Sequence, residues 1–483
     1  MSLSTALSIA QSALMNTARQ TSVVSRNVAD ASNPDYSRRQ AIVTSTAPGA
    51  RSVDIQRVTN DLLFRQNLGA LSAWSGQNAL FSGMDQLGVA VNGVDNASSP
   101  SSAIANLQQA LQLYATSPSN QNLGASVIDA AKQVVRSLNE GSKAVQDFRT
   151  QTDGQIATAV DDLNSLLSQF QDANTAVMTG TRSSNDVSDA LDQRDALLKK
   201  ISNYVPVSTF TRGDNDMVIT TGDGTTLFET IPRTVSFAAS AGYTAGAAGN
   251  AVYIDNVPIS AGAGGNTSAS GTLAGLLQLR DGVASTMQSQ LDETARGLIT
   301  AFAETAPSLP NKTGLFTWSG TPAVPAAGTL VNGLAASISV NAAMDPSSGG
   351  NPTLLRDGGA NGAAYVANTG GASYSALLIA YGDRLDQPMT FDPAAGVSAM
   401  SSVSDYAANS IGWFEGVRQQ ASTASDAKEA LASRSAEALS NATGVNVDQE
   451  MSLLLDLEHT YQASARMMKT VDDMMAALLN AVG

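Results

Sequence analysis

The stretch LLDLEHTYQASARMMKTVDDMMAALLNAV, residues 454–482, decides the reading of this chain. Leu454, Leu457, Tyr461, Met468, Val471, Met475, Leu478 and Val482 recur three and four positions apart, with Ser464 the polar exception. Apolar residues repeating every 3.5 positions form one narrow seam on a helix, and such a seam is buried against another helix. The other end of the chain offers a partner. Leu3, Leu7, Ala10, Leu14, Thr17, Thr21, Val24 and Val28 keep the same spacing, with two threonines and an alanine making a weaker seam. Matching seams at the two termini predict a molecule whose ends pair.

Charge supports that pairing. Residues 1–57 carry six arginines against three aspartates, a net +3, whereas residues 446–483 carry Arg466 and Lys469 against six carboxylates, a net −4. Opposite flanking charges favour this pair over self-pairing of either helix, at about 0.2–0.5 kcal/mol per exposed ion pair. The whole chain of 483 residues has a formal charge of −15, which disfavours nucleic acid and anionic membranes as partners. It contains no cysteine, which excludes disulfides, zinc-thiolate sites and thiol nucleophiles. No apolar run approaches the roughly 20 residues of a bilayer span, so no membrane insertion is expected. The N-terminal residues lack the basic n-region of a cleaved signal and read as an amphipathic helix.

Along the chain, Asn33-Pro34-Asp35-Tyr36-Ser37-Arg38 ends the first helix in a sharp turn. Two short alternating strands around Pro48-Gly49 follow. Helical periodicity then covers about 60–94, 101–115, 122–178 and 188–203; the third of these is unbroken by proline. From 204 to 259 the period becomes two, with Asp223-Gly224 as a hairpin turn. A helix over 272–303, a Gly/Pro-rich region over 306–395 with a strand at 336–340, and a long polar helix over 397–441 complete the order. Asn446 and Gln449 have capping-box spacing at the start of the last helix.

The expected fold is a multidomain α+β protein: a terminal α-helical coiled coil, an elongated helical-bundle rod with β-hairpin elements, and a β-rich inserted tip. Its boundaries are 1–58 with 442–483 for the coiled coil, 59–204 with 272–306 and 396–441 for the rod, 205–271 for a β-rich part, and 307–395 for the variable insert.

The chemistry of catalysis is not apparent. His459 lies beside the seam without other ligand types near it. Ser425-x-x-Lys428 and Lys312-Thr-Gly314 match fragments of a peptidoglycan-acting serine hydrolase, but in the wrong order and without the third motif. No catalytic, metal or cofactor site is expected.

Both termini resemble one family. Ser25-Arg-Asn-Val-Ala-Asp30 with Asn33–Arg38, and Thr443–Glu450 with Thr460–Arg466, resemble the terminal signatures of bacterial flagellar axial proteins, the rod, hook and hook-associated proteins. Tyr36–Arg38, Leu191-Asp-Gln-Arg-Asp195, Ile201–Val205 and Gly271–Asp281 are similar to the hook-associated members at the junction of hook and filament. The sequence departs from the family at Asp35, usually glycine, and at Asp30, Ser32 and Asn33.

The resemblance implies a structural subunit, made in the cytoplasm, exported by the flagellar type III apparatus and assembled outside the cell as a ring of copies. Implied partners are the hook protein, a second junction protein, the export apparatus, and a dedicated chaperone on the C-terminal helix. The terminal helices would form an inner tube, disordered before assembly. Another axial subunit, flagellin-like or hook-like, is the same-class alternative, and a surface adhesin or cell-wall hydrolase the different-class one.

Overall fold

The computed structural model describes residues 3–46, 50–259 and 270–482. In chain order the elements are α1 (Leu3–Ala29), β1 (Arg39–Thr46), β2 (Ala50–Arg57), α2 (Asp61–Asn92), α3 (Pro100–Thr116), α4 (Gln121–Arg182) and α5 (Ser188–Tyr204). Short strands β3 (Val207–Thr211), β4 (Met217–Thr221), β5 (Thr226–Glu229), β6 (Ile231–Pro232), β7 (Val235–Ser236), β8 (Tyr253–Ile254) and β9 (Val257–Pro258) come next. Then follow α6 (Thr272–Leu277), α7 (Ala284–Ala301), β10 (Phe316–Thr317), α8 (Leu334–Ser337), β11 (Ser339–Val340), α9 (Thr353–Asp357), α10 (Ala376–Asp386), β12 (Met389–Thr390), β13 (Met400–Ser401), α11 (Val403–Thr443) and α12 (Val447–Val482). The fold is mainly helical with small antiparallel sheets.

Local chemistry sets the boundaries. Asn60 accepts the Leu63 amide at 3.1 Å to start α2, and Gly93, at φ 72°, ends it. Ser99 caps α3 by accepting the Ser102 amide, with Pro100 in the first turn, where its missing N–H costs nothing. Helix α4 runs 62 residues without a proline. Asp255 and Asn256, both at positive φ, make the two-residue turn between β8 and β9.

Two expectations need correction. The segment expected as a strand over 336–340 is helical through Ser337, and only Ser339 and Val340 pair, with Phe316 and Thr317. The polar helix begins at Val403, because Met400 and Ser401 are first used in pairing with Thr390 and Met389.

The chain gathers into two compact units. One holds residues 1–74, 162–235 and 427–483, the other 75–161 and 236–426, and the division falls within α2, α4, β7 and α11. The first unit contains α1, the β1–β2 hairpin, α5, the sheet in order β3-β4-β5-β6, and α12. The hairpin pairs Arg39 with Arg57 and Val43 with Val53.

The second unit has a core that includes Leu80, Met84, Leu87, Val127, Ile128, Val134, Leu138, Leu298 and Phe302, each buried to within 1%. Its irregular segments are held by buried polar side chains acting on main-chain atoms. On α7, Asp292 accepts the amides of Gly333 (2.9 Å) and Ala335 (2.8 Å), and Gln290 donates to the Ala395 carbonyl at 3.0 Å. Glu293 accepts the Asp392 amide at 2.7 Å, while its partner Arg296 donates to the Thr390 carbonyl at 2.5 Å. Glu304, just past α7, accepts the amides of Ala360 and Asn361, both at 2.9 Å.

A second clamp sits at a π-helical turn, Gln278–Val283, between α6 and α7. Arg280, fully buried, bonds Asp153 at 2.5 Å, Asp281 through Nε and Nη2, and the Asn250 carbonyl at 2.7 Å. Arg149 donates to the carbonyls of Arg280 and Ala247, and its guanidinium lies over the Tyr243 ring. Tyr243 and the Ser240 amide in turn donate to Asp153. The loop 237–250 is thus wrapped around two buried cations, which accounts for Arg280 and Asp281 at the end of the Gly271–Asp281 motif.

Candidate assembly interface

The terminal helices pair, α1 packing along α12. On α1, Ala10, Thr17 and Val24 are buried, and Leu7, Leu14, Thr21 and Val28 half-buried. Thr17 satisfies its hydroxyl on the Ala13 carbonyl of its own helix at 2.9 Å, so it packs there without an unpaired donor. On α12, Leu457 and Ser464 are buried, and Leu454, Met468, Val471 and Met475 half-buried. Tyr461 and Leu478 are 50% and 53% exposed, so this single chain leaves them uncovered. The side chains of Leu3 and Val482 lie outside the described residues. Asn446 accepts the Gln449 amide at 3.1 Å, capping α12. His459 is exposed on the same helix.

The turn that follows α1 is built by its own polar side chains. Asn33 accepts the Asp35 amide through Oδ1 at 3.0 Å, and its carbonyl accepts the Tyr36 amide. Asp35 is not among the non-glycine residues at positive φ, so the position needs no glycine here; its carboxylate pairs with Lys199 at 2.8 Å. Tyr36 and Ser37 are buried. The Arg38 amide donates to the Thr443 carbonyl at 2.7 Å, tying the turn to the end of α11.

Asn27 is the hub of this corner. It is 1% exposed and uses its full hydrogen-bonding capacity: Nδ2 donates to the Arg39 carbonyl (2.9 Å) and Glu450 Oε2 (3.0 Å), and Oδ1 accepts from the Tyr36 hydroxyl (2.8 Å) and the Arg39 amide (3.1 Å). Glu450, buried in the first turn of α12, also accepts from Arg38 Nε at 2.6 Å. A carboxylate there also faces the positive end of the helix dipole. Burial pushes the Tyr36 hydroxyl up to about 12, against the nearby charge of Arg39.

The arginines expected to face α12 turn largely elsewhere. Asp189, Asp192 and Asp195 step by three along α5 and face Arg26, Arg39 and Arg57. Asp189 holds Arg26 and Arg39, each at 2.5 Å; Asp192 holds Arg39 (3.0 Å) and Arg57 (2.7 Å); Asp195 holds Arg57 at 2.5 Å. Each of the two inner arginines bridges successive aspartates, forming a ladder. The physical reason is burial: Arg39 and Arg57 are 1% and 11% exposed and need carboxylates on the wall they are packed against. Among the described residues Arg39 Nε and Nη1 have no acceptor; the Tyr36 ring lies 4.6 Å from its Cζ. Burial pushes the Asp192 carboxyl up, against the pull of Arg57 and Arg39. At Asp189 burial also acts upward, but Arg39 and Arg26 outweigh it and hold the carboxyl below its usual value.

A cleft of about 1110 Å³ opens beside the turn in the same unit. Its walls include Asn33–Ser37, Phe64, Arg194, Phe210 and Leu439–Ser440, and acidic and basic groups are mixed along it.

Two motifs quoted from distant parts of the sequence, Tyr36–Arg38 and Leu191–Asp195, therefore lie at one corner. Residues 85–306 match the family described as the flagellar hook-associated protein FlgK helical domain, and residues 438–481 that described as the flagellar basal body rod FlgEFG protein C-terminal. Both matched families are flagellar. Flagellar hook-associated protein 1 of Bacillus subtilis (strain 168) is 22% identical over 520 residues, covering 99% of this chain and 97% of that protein. The flagellar hook junction protein FlgK from Burkholderia pseudomallei shares the fold, with a TM-score of 0.57 at 13% identity over 77% of this chain and 99% of that one.

The chain carries its terminal seams, turn and aspartate ladder in a single unit. The seams and turn were visible in the sequence. Asn27, Asp192, Asp195 and Glu450 lie inside the quoted signatures without a role given to them there, Arg39 and Arg57 entered only as charge, and Asp189 was not singled out, although the three-residue step of Asp189, Asp192 and Asp195 marks one helix face. The hydrolase-like fragments lack a hydrolase's geometry: Ser425 is buried within continuous α11, and the main chain of Lys312 pairs with Glu304.

Proposed function

We propose that the chain is a structural subunit of the bacterial flagellum that joins the hook to the filament, not an enzyme. Copies assemble outside the cell as a ring, after export by the flagellar type III apparatus. The carrying observation is the α1–α12 pair, closed at its base by Arg38, Asn27 and Glu450 and leaving apolar residues of α12 uncovered. A pair that buries one face while Leu453, Tyr461, Met467, Met474 and Leu478 remain exposed suits a subunit whose neighbours supply the rest of the burial.

In this reading the module of residues 1–58 with 442–483 forms the inner tube, and the hook protein and a second junction protein meet the ring on either side. Before assembly a dedicated chaperone covers the C-terminal helix. The match of residues 85–306 to the FlgK helical domain supports the junction role over a flagellin-like or hook-like one. The deciding experiment is deletion of the gene. Cells bearing hooks without filaments, with flagellin lost to the medium, fulfil the proposal; normal filaments overturn it. Removing residues 446–483 tests the chaperone assignment: chaperone binding is lost while the unit containing residues 236–426 still folds.

A further inference from the structure

We propose that Met467 and Met474 form a thioether oxidation site, at which a peroxide closes the outer face of α12 to helix packing. This rests on the reading of that face as an assembly surface. The chain has no cysteine, so its 14 methionines are its only side-chain sulfurs. Met467 and Met474 are 57% and 54% exposed, whereas their chain neighbours Met468 and Met475 are half-buried on the side toward α1. The two exposed residues are seven apart and share a track with Leu453, 40% exposed, and Thr460. A seven-residue repeat of this kind is a second helix-packing track beside the seam.

Met467 and Met474 are its two thioethers, at consecutive positions. In the reaction a sulfur lone pair attacks one peroxide oxygen, the O–O bond breaks, and water leaves after proton transfer. The thioether is oxidised by two electrons to the sulfoxide and hydrogen peroxide is reduced. Two polar sulfoxides then occupy adjacent positions of an apolar track, which is the change that disrupts methionine-rich interfaces.

The test treats unassembled full-length chain with hydrogen peroxide and follows each methionine by peptide mass spectrometry. Met467 and Met474 are expected to oxidise at least ~10-fold faster than the fully buried Met84 and Met344, and several-fold faster than Met468 and Met475. Equal rates within the pairs 467/468 and 474/475 overturn the inference. Self-association is then measured by sedimentation, each protein against its own untreated sample. Treated wild type loses association. The Met467→Leu/Met474→Leu variant keeps whatever it had, although the exposed Met15, Met400 and Met451 are oxidised in it as well. Met467→Gln/Met474→Gln reproduces the loss without peroxide. If treated and untreated wild type associate equally, the inference falls and the assembly reading stands. If untreated wild type does not associate at all, this inference falls, and the assembly reading is decided by the gene deletion.

Discussion

Arg38 and Glu450 are separated by 412 residues in sequence and meet at 2.6 Å, with Glu450 buried and also bonded to Asn27. One carboxylate in the first turn of α12 thus fixes both the end of α1 and the turn after it. Glu450→Ala leaves the buried Asn27 amide short of an acceptor and Arg38 without its counter-charge. The expected cost is about 2 kcal/mol in docking of α12. Hydrogen exchange over residues 447–460 of the full chain reads it, with faster exchange there and unchanged protection in α7. Leu457→Ala, which removes the buried apolar side chain of the same seam, is expected to cost about 2–5 kcal/mol at full packing.

Asp192→Asn should be the most damaging change in the ladder. The carboxylate serves Arg39 and Arg57 together, and its loss leaves two poorly solvated guanidinium groups sharing the remaining aspartates. A loss of about 3–5 kcal/mol is expected, read from urea denaturation followed by a probe in the first unit. Asp189→Asn, at a side chain 65% exposed, should cost clearly less. Equal losses would show that the ladder does not concentrate at its buried middle.

Gly249→Ala tests the clamp around Arg280. A Cβ at Gly249 would lie 2.3 Å from the guanidinium carbon and Nε, and Arg280 is held by Asp153, Asp281 and the Asn250 carbonyl, so it cannot swing aside freely. A destabilisation of about 1–3 kcal/mol is expected, with protease cleavage appearing within 237–250. Restored protection in the double variant with Arg280→Lys would identify the clash as the cause.

Asp292 makes the second unit lose stability as pH rises through about 6. Burial, the largest influence, pushes its carboxyl up to about 6, against the bonds from Ala335, Gly333 and Gln288. A folded value above the unfolded one means that the native state binds the extra proton. The stabilisation from that proton is complete below about pH 4 and is lost as pH rises through about 6. Carbon-detected NMR titration of the Asp292 carboxyl should give a midpoint near 6. Asp292→Asn should flatten the pH dependence of stability between about 4 and 6.

How much the sequence disclosed follows from the range of each interaction. The terminal seams were legible because a 3.5-residue period is written locally, and the turn because Asn33 and Pro34 constrain their own neighbours. The ladder was not, since Arg39 meets Asp189 and Asp192 from 150 and 153 residues away and each side chain alone looks like solvated charge. The same holds for α7: Asp292, Glu293 and Arg296 have the pattern of an exposed polar face, yet all three are buried and bonded to irregular chain that has no period to announce it. The strand placed at 336–340 failed for that reason. Its alternation is real, but the amides of Gly333 and Ala335 are drawn to Asp292 and the chain turns helical there.

The α7 clamp has a consequence for how this molecule can vary. Asp292, Glu293, Arg296 and Glu304 grip amides and carbonyls of Gly333, Ala335, Ala360, Asn361, Thr390 and Asp392, groups that nearly every amino acid carries. The outer covering of the second unit is fastened by its thread, not by its lettering. Exposed side chains along it can be rewritten one by one while the fastening stays in place, so the surface shown to the outside is free to drift and the helix beneath is not.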